Sequence, residues 1–307
     1  MVIVYLLLGA AVLLGCGSSL QRRHPRALFA LVLASLVAPL ILDHSAHNLV
    51  QIGAVLVLLG VEALVPHADY AAVSDENLKS AAFVSFKRLA SVVVTIFVIP
   101  RILSWATPMW SMSAHGVHPL VQGIVGFLVL DFYLWAYHWT QHRLDFMWHF
   151  HKLHHATAEL TVFASGRSHL VDATLKLTGV VLISYALGLS PEVFTFGFAL
   201  PILLLDSFNH SNIDFPRRRW RWLARVFTSP NCHAVHHTPD RDRMNYGVAL
   251  MIWDRIFGTF ELPEARPTVF GLHDRAWGRA GVLWQHLEPV RAMLPSPRPR
   301  VSSLPAK

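Results

Sequence analysis

Eleven of the chain's 19 histidines fall between positions 138 and 237, and nine of those recur at spacings that gather imidazoles. His138 and His142 are four apart. His151, His154 and His155 form an H-x-x-H-H run, and His233, His236 and His237 form a second. His210 sits in Asn209-His-Ser-Asn212. On a helix, positions i, i+3 and i+4 share a face, so each run is expected to project three imidazoles at one point. Neutral imidazole is a ligand for Fe, Zn, Cu or Ni. Nine such groups exceed what one ion takes and suit two ions with about four or five nitrogens each. Packing so many rings together without metal would be costly, because their nitrogens would lack partners. The spacing therefore predicts a dimetal site without choosing the metal.

Other residues form a second rank. Asp131 lies seven positions before His138, and Asp206 four before His210, each on the same helical stripe as its histidine. Either carboxylate could accept the second N–H of a ligand histidine, and Asp206 could itself ligate. The competing reading for Asp131 is a pairing with a nearby Arg or Tyr. His169, in Gly166-Arg-Ser-His169, is a further candidate for touching the site. His149, one residue out of phase between Trp148 and Phe150, reads as interfacial packing. His24, His44, His47, His67, His115, His118, His273 and His286 stand alone and read as structural or solvated.

The elements that must position these residues are apolar. The 307 residues are 53% hydrophobic and 15% charged, against about 25% charged in soluble domains. Candidate spans are 2–17, 27–42, 49–66, 89–110, 119–137, 173–189 and 191–209. Ser190 and Pro191 alone separate the last two, which predicts a tight hairpin. Pro100 predicts a kink in 89–110. Arg22, Arg23 and Arg26 follow the first span, whereas Asp43 to Asn48 and Ser111 to His118 carry no Lys or Arg. By the positive-inside rule, one topology satisfies every loop, with the N-terminus outside and both histidine-rich regions on the cytoplasmic face. Helix α-periodicity carried past 137 would lift His138 and His142 just beyond the headgroups. The expected fold is all-α, a polytopic transmembrane helical bundle with a cytoplasmic histidine-rich helical cap holding the dimetal site. Its expected parts are N-terminal transmembrane helices in 1–118, a catalytic domain in 119–262 and a C-terminal cytoplasmic tail in 263–307.

Composition excludes several classes. Two cysteines, Cys16 and Cys232, are too few for a disulfide framework. Leu13-Leu-Gly-Cys16 has the form of a lipoprotein cleavage site, but Met1 to Tyr5 lacks the positive charge a secretory signal needs, which favours a retained first span. The net charge of +7 in so apolar a chain points to anionic headgroups rather than nucleic acid.

The stretch from Asp131-Phe-Tyr to His155, with Phe208-Asn-His-Ser-Asn212, Ser229-Pro-Asn-Cys-His-Ala-Val-His-His237, Asn245-Tyr-Gly247 and Trp253-Asp-Arg-Ile-Phe-Gly-Thr-Phe260, resembles the fatty acid hydroxylase/sterol desaturase superfamily. The resemblance covers roughly 119–262. It implies that His138, His142, His151, His154, His155, His210, His233, His236 and His237 hold two Fe ions in a non-haem di-iron centre. It further implies O2 as oxidant, an external reductant and a lipid substrate, with hydrogen removed from an unactivated C–H bond to give an alcohol or an alkene. Two positions depart from the family pattern. Trp139 stands where many members have Arg, and Asp206 where some fatty acid hydroxylases have another histidine. The Trp253–Phe260 segment reads as a structural signature of the cap.

Other classes would place or space these residues differently. A metal transporter would place its histidines near the bilayer midplane on broken helices, and a zinc-dependent membrane hydrolase would show H-E-x-x-H, which is absent from the sequence. A b-type haem protein would need single histidines facing one another within spans. Arg217-Arg-Arg-Trp-Arg-Trp222 reads first as an interfacial anchor and second as a docking patch for an acidic donor such as a ferredoxin or a cytochrome b5-like protein. No built-in redox domain is recognisable, so the resemblance calls for a separate electron donor with its reductase. Sterol, fatty acyl chain, ether lipid and aminolipid headgroup all suit the same metal site.

Overall fold

The computed structural model describes residues 46–70, 74–105, 111–216 and 220–293. The candidate spans 2–17 and 27–42, the lipidation reading at Cys16, and residues 217–219 of the basic cluster lie outside them. The described helices are α1 (Ala46–Leu64), α2 (Asp75–Val93), α3 (Pro119–Gln141), α4 (Asp145–His155), α5 (Leu170–Leu187), α6 (Pro191–His210), α7 (Pro230–His236), α8 (Ile252–Ile256), α9 (Arg275–Arg279) and α10 (Val282–Met293). Among the described residues there is no β-strand, only an isolated bridge between Phe227 and Leu250.

Three helices, α3, α5 and α6, are long and apolar enough to cross a bilayer, and the candidate spans 119–137, 173–189 and 191–209 fall on them. The candidates 49–66 and 89–110 coincide with shorter apolar stretches, Val55–Leu64 and Ala90–Arg101. α2 runs on through a π-helical turn, Val94–Val98, into Ile99–Trp105. A second π-helical turn, Thr195–Ala199, lies inside α6. Each ends two residues before a proline, Pro100 or Pro201. Proline offers no N–H and its ring crowds the carbonyl four residues back, and a widened turn relieves both.

The α5–α6 hairpin is written locally. α5 stops at Gly188, whose φ of +59° is open to glycine without a Cβ penalty. Ser190 then caps α6, its hydroxyl accepting from the Val193 N–H, and Pro191 occupies the first turn. Because α3, α5 and α6 alternate in direction, the C-terminal ends of α3 and α6 meet the N-terminal end of α5 at one end of the bundle. Their shared core is Leu130, Leu134, Val180 and Phe198. Contact between α3 and α5 is close: a Cβ on Gly179 would fall 2.0 Å from the Tyr133 hydroxyl, and that hydroxyl donates to the Lys176 carbonyl at 3.2 Å.

A second layer closes the histidine end. Ala81, Ala82 and Phe83 of α2 pack with Leu153 and Ala156 beside α4, and with Trp277 and Val282 of α9 and α10. Residues 263–293, set apart from sequence as a tail, thus bury Arg266, Phe270, Trp277 and Gln285 against the rest. α2 also packs along α5.

Candidate metal centre

The structure brings all nine motif histidines together in two buried groups. One is His138, His142, His151, His155 and His236; the other is His154, His210, His233 and His237. Within each group one ring nitrogen per residue lies within 4.8 Å of all the others. The runs do not converge as the sequence suggested. His151 and His155 join the first group while His154 joins the second, and His233 and His237 join the second while His236 joins the first. Neighbours on a helix point about 100° apart, so positions i+3 and i+4 fall on opposite sides of position i. Each run therefore straddles two points.

Backbone carbonyls fix the ring orientations. His138 Nδ1–H donates to Tyr246 O at 2.9 Å, His236 Nδ1–H to Met244 O at 2.9 Å, His154 Nδ1–H to Arg167 O at 3.0 Å and His210 Nδ1–H to Asp206 O at 2.7 Å. A carbonyl only accepts, so each of these rings presents a bare Nε2. In the first group Nε2 of His138, His142, His151, His155 and His236 is buried without any hydrogen-bond partner. In the second, Nε2 of His210 lies 3.1 Å from that of His154 and 3.0 Å from that of His233, which is 3.1 Å from that of His237. His154 and His210 thus oppose lone pair to lone pair. Burial, and after it the neighbouring imidazoles, holds His142, His151, His154, His155, His233, His236 and His237 well below the usual histidine range. Protons therefore do not relieve the crowding. A cation would, and neutral imidazole is the donor it takes.

Of the two carboxylates expected beside ligand histidines, Asp206 lies there and Asp131 does not, and a third carboxylate, Asp172, joins them. Asp131 meets no histidine: its oxygens accept from the Ala249 and Leu250 N–H groups and from Trp253 Nε1, at 3.2, 3.3 and 2.9 Å. The stripe shared with His138 was real, but the 249–253 loop covers that part of it. Asp206 is beside the site, with Oδ1 3.4 Å from His210 Nδ1 and Oδ2 3.4 Å from Lys87 Nζ. Asp172, not singled out from sequence, is buried at the start of α5. It accepts from Tyr137 Oη at 2.9 Å and from Gln141 Nε2, and its Oδ2 lies 3.7 Å from His151 Nδ1.

His169 is not at the site. Its Nδ1 accepts from the Val171 N–H at 3.1 Å, capping α5, and its Nε2–H donates to His286 O at 2.9 Å. Both nitrogens are committed. His149 belongs to neither group. His118 caps α3, and His286 stacks on Phe83 and His169. Burial holds the His286 imidazole down at about 3. An unfolded chain takes up that proton below about pH 6.5, so the stabilisation is complete above pH ~6.5 and is lost as pH falls toward the folded value. Between about pH 6.5 and 4, the unfolding free energy of the wild type is expected to fall by about a few kcal/mol more than that of His286→Phe. Parallel curves would remove His286 as a cause.

Two further supports escaped the sequence reading. Arg167 is fully buried, donating to Leu153 O, Glu76 and Gln285 while its own carbonyl holds His154. Asn245, at φ +57°, turns the chain so that the carbonyls on either side of it reach His236 and His138. Its side chain is pinned to Cys232 O, Glu261 O and Glu261 N. Asp254 holds the same loop through the Tyr246 and Gly247 N–H groups and Thr259, which gives the Trp253–Phe260 segment its structural role. A cavity of about 250 Å³ opens from His138, His151, His154, His210 and His233 toward Leu134, Leu177, Val180, Phe198 and Ile202 among the apolar helices, with Lys87, Lys176 and Asp206 on its wall.

Residues 123–259 match the model of the fatty acid hydroxylase family. That match covers somewhat less than half of the chain, and the matched region resembles a fatty acid hydroxylase domain. It is similar to ornithine lipid hydroxylase OlsE of Rhizobium tropici, 32% identical over 149 residues that make up 48% of this chain and 44% of that one. Alkylglycerol monooxygenase of Homo sapiens is 29% identical over 149 residues, 48% of this chain and 32% of its own. Delta(7)-sterol 5(6)-desaturase ERG3A of Gibberella zeae is 30% identical over 142 residues, 45% and 37% of the two chains. The match spans less than half the length of each of these relatives. No solved structure matches the chain.

Proposed function

We propose that the chain is an O2-dependent, non-haem di-iron membrane oxidoreductase that hydroxylates or desaturates a C–H bond of a lipid. The observation that carries this reading is the pair of buried, inward-facing imidazole groups opening onto an apolar cavity between membrane-length helices. His138, His142, His151, His155 and His236 would hold one iron, and His154, His210, His233 and His237 the other. Bound iron supplies the power to activate O2 and remove hydrogen from an unactivated carbon. The protein's own work is positional. Tyr246, Met244, Arg167 and Asp206 carbonyls keep the bare Nε2 atoms aimed inward, as supporting groups do at metal sites generally. Leu177, Val180, Phe198 and Ile202 exclude water and guide an acyl chain. The names of the similar proteins, two hydroxylating and one desaturating, fit this chemistry. The domain extends over 119–262, the active site faces the cytoplasm, and a separate ferredoxin or cytochrome b5-like protein with its reductase delivers electrons.

A zinc-dependent membrane hydrolase would more often show H-E-x-x-H, which is absent from the sequence. Lipids from expressing and non-expressing cells grown under labelled O2 test the proposed reaction. Label in a lipid product means hydroxylation, and an unlabelled product two hydrogens lighter means desaturation. Identical lipid profiles, in cells that contain the metal-loaded protein, would sink the proposal.

A further inference from the structure

Resting on the reading of α3 as a bilayer-crossing helix, we propose that α8 and the turn before α7 form a non-spanning wedge, seated in the lipid leaflet nearer the metal centre. The Trp253–Phe260 segment then does more than brace the loop beside it. Its outer face is a membrane contact.

Depth carries the argument. Asp131 lies ten residues before the end of α3 at Gln141, about 15 Å back along the helix. The chain after Tyr246 comes down to that level. The Ala249 and Leu250 N–H groups and Trp253 Nε1 all donate to Asp131, and Phe257 stacks on Trp135 with ring centroids 4.5 Å apart. With Pro119 at one edge of a hydrocarbon core about 30 Å thick, the other edge falls near residue 139. Trp253 and Phe257 then lie about 12 and 6 Å inside that edge, close to the depth at which interfacial segments rest.

The outer surface at that level is apolar. Ile256 is 62% exposed and Phe257 52%, with Ile252, Val226 and Phe227 also exposed. The two segments are joined through the Phe227–Leu250 bridge and through Met251 N–H donating to Val226 O at 2.9 Å. Their patch continues the bare stripe of α3. Ile124, Leu128 and Phe132 are exposed and spaced four apart, and the Phe132 ring lies 4.9 Å from that of Trp253 and 6.3 Å from that of Phe257. A face continuous with the bare side of a membrane-length helix meets the same solvent as that helix. Arg225 and Arg255 are exposed beside the patch, and Arg255 donates to Arg225 O at 3.4 Å. Their stems can cross apolar surface and bring the guanidinium groups to lipid phosphates.

Irregular backbone is tolerated at such depth only when its polar groups are bonded within the protein. Two buried carboxylates do this here. Asp254 accepts from the Tyr246 and Gly247 N–H groups, and Asp131 from those of Ala249 and Leu250. Water would satisfy a solvated loop as well, without the cost of burying two carboxylates.

Fluorescence quenching tests the seating. Ile256→Cys, Phe227→Cys, Leu128→Cys and Asp240→Cys, each in full-length Cys16→Ser protein, would be labelled with bimane and reconstituted in phosphatidylcholine vesicles. The parent, which retains the buried Cys232, serves as the blank. Asp240 is exposed in the loop after α7. Brominated phosphatidylcholine is expected to quench the labels at 256 and 227 to within about twofold of the label at 128, and aqueous iodide to quench the label at 240 about tenfold more steeply than either. Bromolipid quenching at 128 but at neither 256 nor 227 overturns the proposal and leaves the bilayer reading of α3 standing. Its absence at all three positions overturns both. Iodide access at 256 equal to that at 240 overturns the proposal as well, since that is the behaviour of a surface open to a soluble protein. Labels at 256 and 227 shielded from both quenchers would mean that protein, such as a second copy, covers the patch, which overturns it too. No lipid is oxidised in the experiment, so its outcome is separate from the labelled-oxygen test.

Discussion

Full-length protein from iron-replete cells is expected to carry about two iron ions per chain, and a His154→Ala variant to lose most of its metal and all lipid oxidation. Removing His154 leaves only His210, His233 and His237 in the second group. It also frees the Arg167 carbonyl that the His154 ring occupies. A small residue there leaves a desolvated cation with three nitrogens and no donor on the fourth side. His149→Ala is the internal comparison. His149 lies on the same helix and in neither group, so that variant should keep both ions. Elemental analysis of the three purified proteins decides the matter. A His154→Ala protein with full metal and full activity would remove this histidine cluster from the chemistry, and stoichiometric zinc in the wild type would overturn the di-iron reading.

The second large effect is expected at a residue that touches no metal. Asn245→Ala should weaken metal binding or activity by about 10- to 100-fold, the usual scale for loss of a group that orients a ligand. Two contributions are mixed there. Asn245 accepts a positive φ, which most side chains resist, and its amide ties the loop to Cys232 O and Glu261. Asn245→Gly keeps the first and loses the second. If carbonyl placement is what matters, Gly should recover part of what Ala loses, because the backbone can still turn Met244 O and Tyr246 O toward His236 and His138. Metal affinity measured by chelator competition separates them. Equal retention of metal in wild type and Ala variant would show that the loop carbonyls do not aim the rings.

Much of this site was legible because its chemistry is periodic. Histidines three and four apart on a helix announce themselves, and the hydropathy of 119–137, 173–189 and 191–209 marks the helices that carry His138, Lys176 and His210. What sequence could not provide was the partner across space. Asp131 and His138 share a stripe, but a stripe does not say which loop covers which end of it, and the 249–253 loop took Asp131. Asp172 looked like an ordinary acidic residue in a helix's first turn until α3 brought Tyr137 and Gln141 to it. Arg167 stands in the sequence only as a charged neighbour of His169. Folding buried it, because Glu76 arrives from more than ninety positions earlier and Gln285 from more than a hundred later. His169 had the type and neighbourhood of a ligand, and only its two committed nitrogens exclude it.

The division of each H-x-x-H-H run between the two groups has a thermodynamic corollary. α4 gives two rings to the first group and one to the second, while α7 gives one and two. Neither helix can settle around one ion without shifting a nitrogen that the other ion needs. Occupancy at the two positions is therefore linked, and linkage is reciprocal: whatever the first ion does for the affinity of the second, the second does for the first. Positive coupling would make half-loaded chains scarce, and negative coupling would make them the main species. Either way, the coupling between two bound ions would be written into the spacing of three letters in the sequence.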